Sequence, residues 1–145
     1  MAAPGRVDPY KGFRFRVEID GIQQAGFTEC SGLGSHVEIA EYREGGDSAT
    51  VRKLIGKASY PDITLKWGST DSTELHDWHV TAITGQLQRK NGSVVMCDDT
   101  GTEKVRWNFF SAWPSKWDGP SFNAKGNDIA IETLTISCER VERAS

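Results

Sequence analysis

The sequence has few cysteines, and none of them lies close to another. Its 145 residues contain three: Cys30, Cys97 and Cys138. A secreted disulfide framework favours an even number of cysteines in a shorter chain, and zinc-binding ribbons need pairs at CxxC spacing. We therefore expect three reduced thiols, as in a protein folded in a cytosolic setting, with no disulfide and no structural metal.

Long apolar runs and an excess of basic residues are also missing. No stretch approaches the ~18 apolar residues that cross a membrane, and residues 1–8 lack the apolar segment of a signal peptide. Lys and Arg number 17 against 20 Asp and Glu, which gives a net charge of −3. Nucleic-acid binding usually accompanies a basic domain. We expect no membrane anchor, no specific nucleic-acid binding and no export by the standard secretory route.

Catalytic and cofactor-binding motifs are absent as well. The chain has no G-x-S-x-G and no H-E-x-x-H, and the glycines at 32 and 34 lack the third glycine of a dinucleotide loop. His76 and His79 lie one helical turn apart, but no further metal ligands stand at recognisable spacing. Cys97 ends an apolar run, where cysteine is usually a small core residue. We predict that the protein is not an enzyme and binds no cofactor.

The sequence does contain repeated alternation of apolar and polar residues, which is typical of half-buried β-strands. Residues 13–19 alternate strictly, Asp20-Gly21 predicts a hairpin turn, and residues 22–30 are predicted as the returning strand. A change of apolar phase between Ile131 and Leu134 indicates either a bulge in a long last strand or a strand that is buried first on one face and then on the other. Residues 113–117 break the pattern and are predicted as a loop. Further strands are predicted at residues 36–42, 60–67, 93–97, 104–110 and 128–141.

One amphipathic helix is predicted between Ser72 and Gly85. Ser72 is a suitable N-cap, and a glycine commonly ends a helix. Between them, side chains recur at helical spacing and predict one buried face: Leu75, Trp78, His79, Ala82 and Ile83. Together these elements predict a single domain, residues 1–145, that is mainly β. The expected fold is a β-sandwich or partly closed β-barrel with one flanking α-helix.

Residues 41–57 form what we call the predicted arm. The segment has charge on both flanks, a polar glycine-bearing tip at residues 43–48 and few apolar residues that could fix it to a core. A solvent-exposed hairpin is one interpretation, because charge runs commonly face water. The other is a segment that is ordered by a neighbouring subunit.

Five tryptophans divide into two groups. Trp67, Trp78 and Trp107 occupy core positions of periodic elements, whereas Trp113 and Trp117 lie in the irregular stretch. Aromatic residues in such a stretch either cap a core or form subunit contacts. Both interpretations stay open for Trp113 and Trp117.

Six blocks, in order along residues 8–143, resemble the tail tube proteins of contractile phage tails and extracellular contractile injection systems. They are FRFRVEIDG at 13–21, GFTECSGL at 26–33, EYREGGD at 41–47, RKL at 52–54, WNFFSAWPSKW at 107–117 and NAKGNDIAIE at 123–132. Two positions depart from the family pattern. Ile55 stands where the family often has proline, and the SCER run at 137–140 replaces an expected pattern of histidine and glutamate.

The resemblance implies an inner tube subunit with a structural role. Six subunits would join their sheets into a ring, and rings would stack into a hollow tube that sheath contraction drives through a target envelope. Implied partners are further copies of the chain, a sheath protein, baseplate or spike-hub and tube-terminating proteins, and cargo in the lumen. Assembly is expected in the bacterial cytoplasm, followed by incorporation into a phage tail or a released particle.

Within this assembly, the predicted arm is expected to form ring-to-ring or subunit contacts. The residues predicted to form them are Glu41, Tyr42, Arg43, Glu44, Asp47, Arg52, Lys53, Leu54, Trp113 and Trp117. Two alternatives remain. One is a related ring protein, either a tube initiator or a type VI secretion tube protein, and the other is a barrel that binds a small ligand.

Overall fold

Nine strands and one helix occupy the part of the chain that the computed structural model describes, which is residues 14–23, 26–42, 52–126 and 129–144. The elements are β1 (Phe15–Ile19), β2 (Phe27–Ser31), β3 (His36–Tyr42), β4 (Arg52–Ser59), β5 (Ile63–Gly68), α1 (Glu74–Ile83), β6 (Lys90–Cys97), β7 (Glu103–Asp118), β8 (Ile131–Ser137) and β9 (Arg140–Arg143). Among these residues, no helix is long and apolar enough to cross a membrane.

Seven strands form one antiparallel sheet that does not close on itself. Its order is β1-β6-β7-β8-β5-β2, and β9 also pairs with β7. The first half of β7 pairs with β6 and β9, and its second half pairs with β8. The remaining strands, β3 and β4, pair only with each other among the described residues. The predicted fold class, a mainly β and incompletely closed architecture with one helix, is confirmed.

The core lies where the two halves of this sheet and the helix meet. Ile63, Leu65 and Trp67 alternate inward along β5, as predicted, and are buried beside Leu134 and Ile136 of β8. Burying one such side chain stabilises the fold by about 1.5–3 kcal/mol. Further buried members of this cluster are Ile19, Leu75, Trp78, Val94, Phe109, Ala112 and Cys138.

Strand β7 is longer than predicted, and the loop predicted at residues 113–117 is wrong. Ser111 has φ = 53° and its N–H donates to Asn91 Oδ1 at 2.9 Å. The buried positions change phase around it, from Phe109 to Ala112. Pro114 is tolerated because it lies beside a second irregularity in pairing, opposite Ile136. Because the alternation of buried and exposed residues shifts twice, the sequence pattern does not show that residues 103–118 form one continuous strand.

Two pairings also differ from prediction. Asp20-Gly21 does form a turn, with Ile22 N–H donating to Ile19 O at 3.0 Å, but β1 then pairs with β6 and β2 pairs with β5. The predicted 13–19/22–30 hairpin is wrong. In place of the single strand predicted at residues 128–141, the structure has two strands, β8 and β9. The chain changes partner between them: Glu139 N–H donates to Phe110 O at 3.0 Å, and β9 then pairs with the first half of β7.

Helix α1 packs against β7. Its N-cap is Thr73 instead of the predicted Ser72, and Thr73 Oγ1 donates to Asp77 Oδ2 at 2.9 Å. Leu75 and Trp78 are buried, as predicted, but Ile83 is 69% exposed because the last turn of the helix extends beyond the core.

Candidate assembly surface

The β3–β4 ribbon, defined as β3 and β4 together, is the most exposed part of the described structure. Every residue of β3 is exposed, and all but one in β4 are exposed. The ribbon contains Ile39 at 64% and Ile55 at 89% exposure, together with Val37, Tyr42 and Leu54. A two-stranded ribbon alone is at best marginally stable in water. This ribbon therefore lacks the covering surface that a stable sheet normally has.

The pairing register divides the ribbon into two faces. Ile39 lies opposite Ile55 and Glu41 opposite Lys53, while Ala40 lies opposite Leu54 and Tyr42 opposite Arg52. Successive residues of a strand point to opposite faces. The isoleucine face therefore contains Ile39, Glu41, Lys53 and Ile55, and the tyrosine face contains Ala40, Tyr42, Arg52 and Leu54.

The root of the ribbon, meaning residues 32–35 before β3 and residues 60–62 after β4, is fixed to the core by a close backbone contact. Gly32 has φ = +95°, and a Cβ at this position would lie 2.0 Å from Asp62 O. Leu33 and Tyr60, on either side of the root, are partly buried against the core cluster. The ribbon thus leaves the domain at a position that only glycine allows.

The structure places the predicted contact residues in two regions. Glu41, Tyr42, Arg52, Lys53 and Leu54 lie together on the ribbon. Trp113 and Trp117 lie on β7, where both are half-buried, and the Trp117 ring packs at 4.6 Å from the His76 ring on α1. Arg43, Glu44 and Asp47 fall outside the described residues. The contact role of all ten residues stays a prediction.

An apolar cleft lies between the two terminal strands of the sheet order, and sequence reasoning missed it. Its volume is about 300 Å³. Phe15 on β1, Glu29 and Cys30 on β2 and Trp107 on β7 are among the residues that line it. No local motif could identify it, because its walls come from strands that are up to 92 positions apart in the chain, from Phe15 to Trp107.

The Cys30 thiol is the titratable group inside this cleft. Burial, and secondarily the charge of Glu29, raises the pKa of Cys30 to about 11. The thiol is therefore protonated at neutral pH and a poor nucleophile. Elsewhere in the described residues, no three His, Cys, Asp or Glu side chains are arranged to hold a metal ion.

A charged network covers the outside of β1 and β7. Arg106 Nη2 lies 2.6 Å from Glu103 Oε1 and 2.9 Å from Glu18 Oε2, and Arg16 Nη2 lies 3.4 Å from Glu103 Oε1. Hydrogen bonds from Arg106 hold the pKa of Glu103 below its usual value. Arg16 and Arg106 are direct neighbours of the cleft-lining Phe15 and Trp107 in the same strands, so this network lies on the opposite face of the sheet from the cleft.

The described residues thus form an open β domain with an exposed two-stranded ribbon and an apolar cleft on its surface. The family model described as T4-like virus tail tube protein gp19 matches residues 11–142. The chain belongs to this family: it is a tail tube protein of the phage-tail-like contractile injection systems. The predicted family and tube role are confirmed.

Solved structures show the same relationship. A chain in the PVC sheath–tube complex of an extracellular contractile injection system, in its extended state, is 31% identical, with a TM-score of 0.84, over 94% of this chain and 92% of that one. A chain in the tube-terminating cap of the anti-feeding prophage (AFP) is 30% identical, with a TM-score of 0.87, over 99% and 96%. Comparison with curated proteins gave no significant match.

The fold extends to more distant proteins. Hcp1 from Flavobacterium johnsoniae is 21% identical, with a TM-score of 0.57, over 91% of this chain and 95% of that one. At this identity the likeness concerns the fold alone.

Proposed function

We propose that six copies of this chain form a ring, that rings stack into a hollow tube, and that the β3–β4 ribbon supplies contacts between subunits or rings. The single observation that carries the proposal is the ribbon itself, which is exposed on both faces and pairs with no other described strand. Repeated head-to-tail contacts that do not close generate a filament.

The role is mechanical, with no catalytic step. The sheath drives the tube through a target envelope, and the lumen offers a path for cargo. Proposed partners are the sheath protein, the baseplate or spike hub and a tube-terminating protein. Assembly takes place in the bacterial cytoplasm, before the tube becomes part of a tail or a released particle. Support comes from chains of 30–31% identity in structures described as a sheath–tube complex, a cap and a sheath/tube terminator.

A main tube subunit of an injection particle is the role that we favour over a type VI tube protein. The Hcp1 chains share only 12–21% identity and TM-scores of 0.56–0.57 with this chain. The chain in the AFP baseplate structure shares 20% identity, which supports the fold but not a tube-initiating role.

Negative-stain electron microscopy at high protein concentration, together with the mass in solution, tests the proposal. We expect six-fold rings or tubes. Growth on a baseplate provides a second condition, because a filament can require a nucleus. A chain that stays monomeric in both conditions and binds a small molecule instead would contradict the proposal and favour the ligand-binding barrel.

Charge reversal tests the ribbon's part in assembly. Arg52 lies on the tyrosine face, and Arg43 follows the end of β3. Arg52→Glu or Arg43→Glu should prevent ring stacking and leave the circular dichroism spectrum unchanged. Lys125→Glu, an exposed change outside the ribbon, is the matched control. Normal stacking of both the Arg52→Glu and the Arg43→Glu variant would exclude these charges from the contact.

A further inference from the structure

The cleft is open because the sheet is open. It lies between β1 and β2, which end the sheet order and do not pair with each other. Phe15, Cys30, Val94, Met96 and Trp107 form apolar walls. At about 300 Å³ its volume is at the lower limit for small-molecule sites. It is therefore better suited to a few aliphatic side chains than to a bulky cofactor.

The isoleucine face of the ribbon has the matching character. Ile39 and Ile55 are cross-strand neighbours and are 64% and 89% exposed. Next to them along the ribbon, Glu41 lies opposite Lys53. An exposed aliphatic pair beside one acid and one base is a compact patch with no net charge.

One charge at the cleft is complementary to a charge on the ribbon. Glu29 is among the residues that line the cleft and is exposed, and Lys53 lies on the isoleucine face beside Ile55. When the two surfaces meet, Lys53 can face Glu29, so that a pair of opposite charges accompanies the apolar contact.

We propose that the cleft between β1 and β2 receives the isoleucine face of the β3–β4 ribbon from a neighbouring copy of the chain. A head-to-tail contact requires two different and complementary patches on each subunit, and the apolar cleft and the apolar ribbon face provide them. The inference rests on the proposed function, because it assumes that copies of the chain assemble. It adds which two surfaces meet and which residues of the cleft receive the ribbon.

Cysteine cross-linking can test this contact directly. Cys30 lies in the cleft, whereas Cys97 and Cys138 are buried. Ile55→Cys places a second thiol on the isoleucine face, at a position so exposed that folding should not change. Because the Cys30 thiol is protonated at neutral pH, a short bis-vinylsulfone that withstands alkali is applied to rings or tubes of this variant at about pH 9. It should link Cys30 of one copy to residue 55 of the next. The product would be a ladder of multimers on a denaturing gel.

Two variants are matched controls for the ladder. Leu54→Cys puts the thiol on the opposite face of the ribbon, one residue away, and should give several-fold less cross-linking. Ile55→Cys combined with Cys30→Ala should give no ladder. An Ile55→Cys chain that no longer assembles, while Leu54→Cys does, also supports the contact.

The outcomes separate the two proposals. Rings or tubes that form normally but give equal ladders from residues 54 and 55, or none, would overturn the cleft contact and leave the tube role intact. A wild-type chain that forms no rings or tubes with or without a baseplate would overturn both.

Discussion

Trp78 and Trp117 differ in how their indole N–H groups are satisfied. Trp78 Nε1 donates to Gln88 O at 2.6 Å. Trp117 Nε1 is buried and has no hydrogen-bond acceptor among the described residues, and the same is true of His76 Nδ1 beside it. A buried donor without an acceptor destabilises the folded state. The polar atom of the indole thus has opposite effects on stability at the two sites.

We therefore expect Trp78→Phe to lower the free energy of unfolding by about 1–3 kcal/mol, since Gln88 O loses its donor. Trp117→Phe should change it by less than about 1 kcal/mol, because the substitution also removes the unsatisfied group. Urea unfolding of the two variants checks this difference. Equal losses would mean that the Trp117 N–H is satisfied in solution, for example by water.

The raised pKa of Cys30 predicts a loss of stability in alkali. The thiol ionises near its ordinary pKa of 9.0 in the unfolded chain but only near about 11 in the folded one. The stabilising contribution of the protonated thiol is therefore complete below pH 9 and declines as the pH rises towards 11. Burial raises the pKa of Cys138 as well, and its contribution has the same sign.

Cys30→Ala should make the midpoint of urea unfolding less dependent on pH between 9 and 11 than in the wild type. Measurements at pH 8, 9, 10 and 11 check this, with Cys97→Ala as the control because it also removes a thiol. If the unfolding midpoint of the wild type falls with pH no faster than that of Cys30→Ala, the burial of this thiol is contradicted.

Among the elements, those whose alternation is uninterrupted were predictable. Strand β5 repeats an inward residue at every second position, so Ile63, Leu65 and Trp67 could be assigned to the core from sequence. The first half of β7 was predicted at residues 104–110, but its continuation was not, because a left-handed Ser111 and a second irregularity after Pro114 shift its phase twice. The alternation of apolar and polar residues reflects only local backbone geometry. A bulge shifts this alternation by one residue without ending the strand.

Pairing partners were predicted less well than strands. The Asp20-Gly21 turn follows from local chemistry, but the choice of β6 as the partner of β1 depends on contacts about 75 residues away. The same limit hid the cleft, whose walls meet only after the sheet has formed. The predicted arm, residues 41–57, covered Glu41, Tyr42 and most of β4, because exposure and charge are visible in a single stretch of sequence. Ile39 was predicted only as part of the strand at residues 36–42.

The root of the ribbon provides a prediction for one element. Gly32→Ala adds a Cβ at φ = +95° that would lie 2.0 Å from Asp62 O, so backbone strain and a steric clash act together. We expect this substitution to lower the free energy of unfolding by about 2–4 kcal/mol. Gly101→Ala is the matched control, since Gly101 has φ = +87° and nothing within 4 Å of the added atom.

Gly101→Ala should lower the free energy of unfolding only through the strain of a positive φ, by about 1 kcal/mol. Thermal unfolding of both variants measures the difference. Equal costs at the two glycines would show that the segment around Asp62 shifts away and that the root is not tightly fixed.

At the scale of the whole molecule, the six sequence blocks identified the family and hence the tube role, while the geometry of assembly was not readable from them. The resemblance implied contacts by the predicted arm, but it could not distinguish one face of the ribbon from the other. That distinction depends on register, which places Ile55 opposite Ile39 and Leu54 opposite Ala40.

Hydrogen exchange should show the change between the free and the assembled subunit. In the monomer, amides of β3 and β4 should exchange quickly, because the ribbon is exposed and has no covering layer. In tubes we expect their exchange to slow by roughly tenfold or more. Amides of β5 and β8 should be slow in both states, since these strands are buried. Unchanged exchange in the ribbon after assembly would exclude it from the contacts.

Strand β7 links the stability of one half of the domain to that of the other. It is a partner of β6 and β9 along its first half and of β8 along its second. If either half melted, β7 would lose one set of partners and Phe109 and Ala112 would be drawn out of the common core. The subunit should therefore melt in a single cooperative step, with no half-unfolded species to interrupt a tube under load.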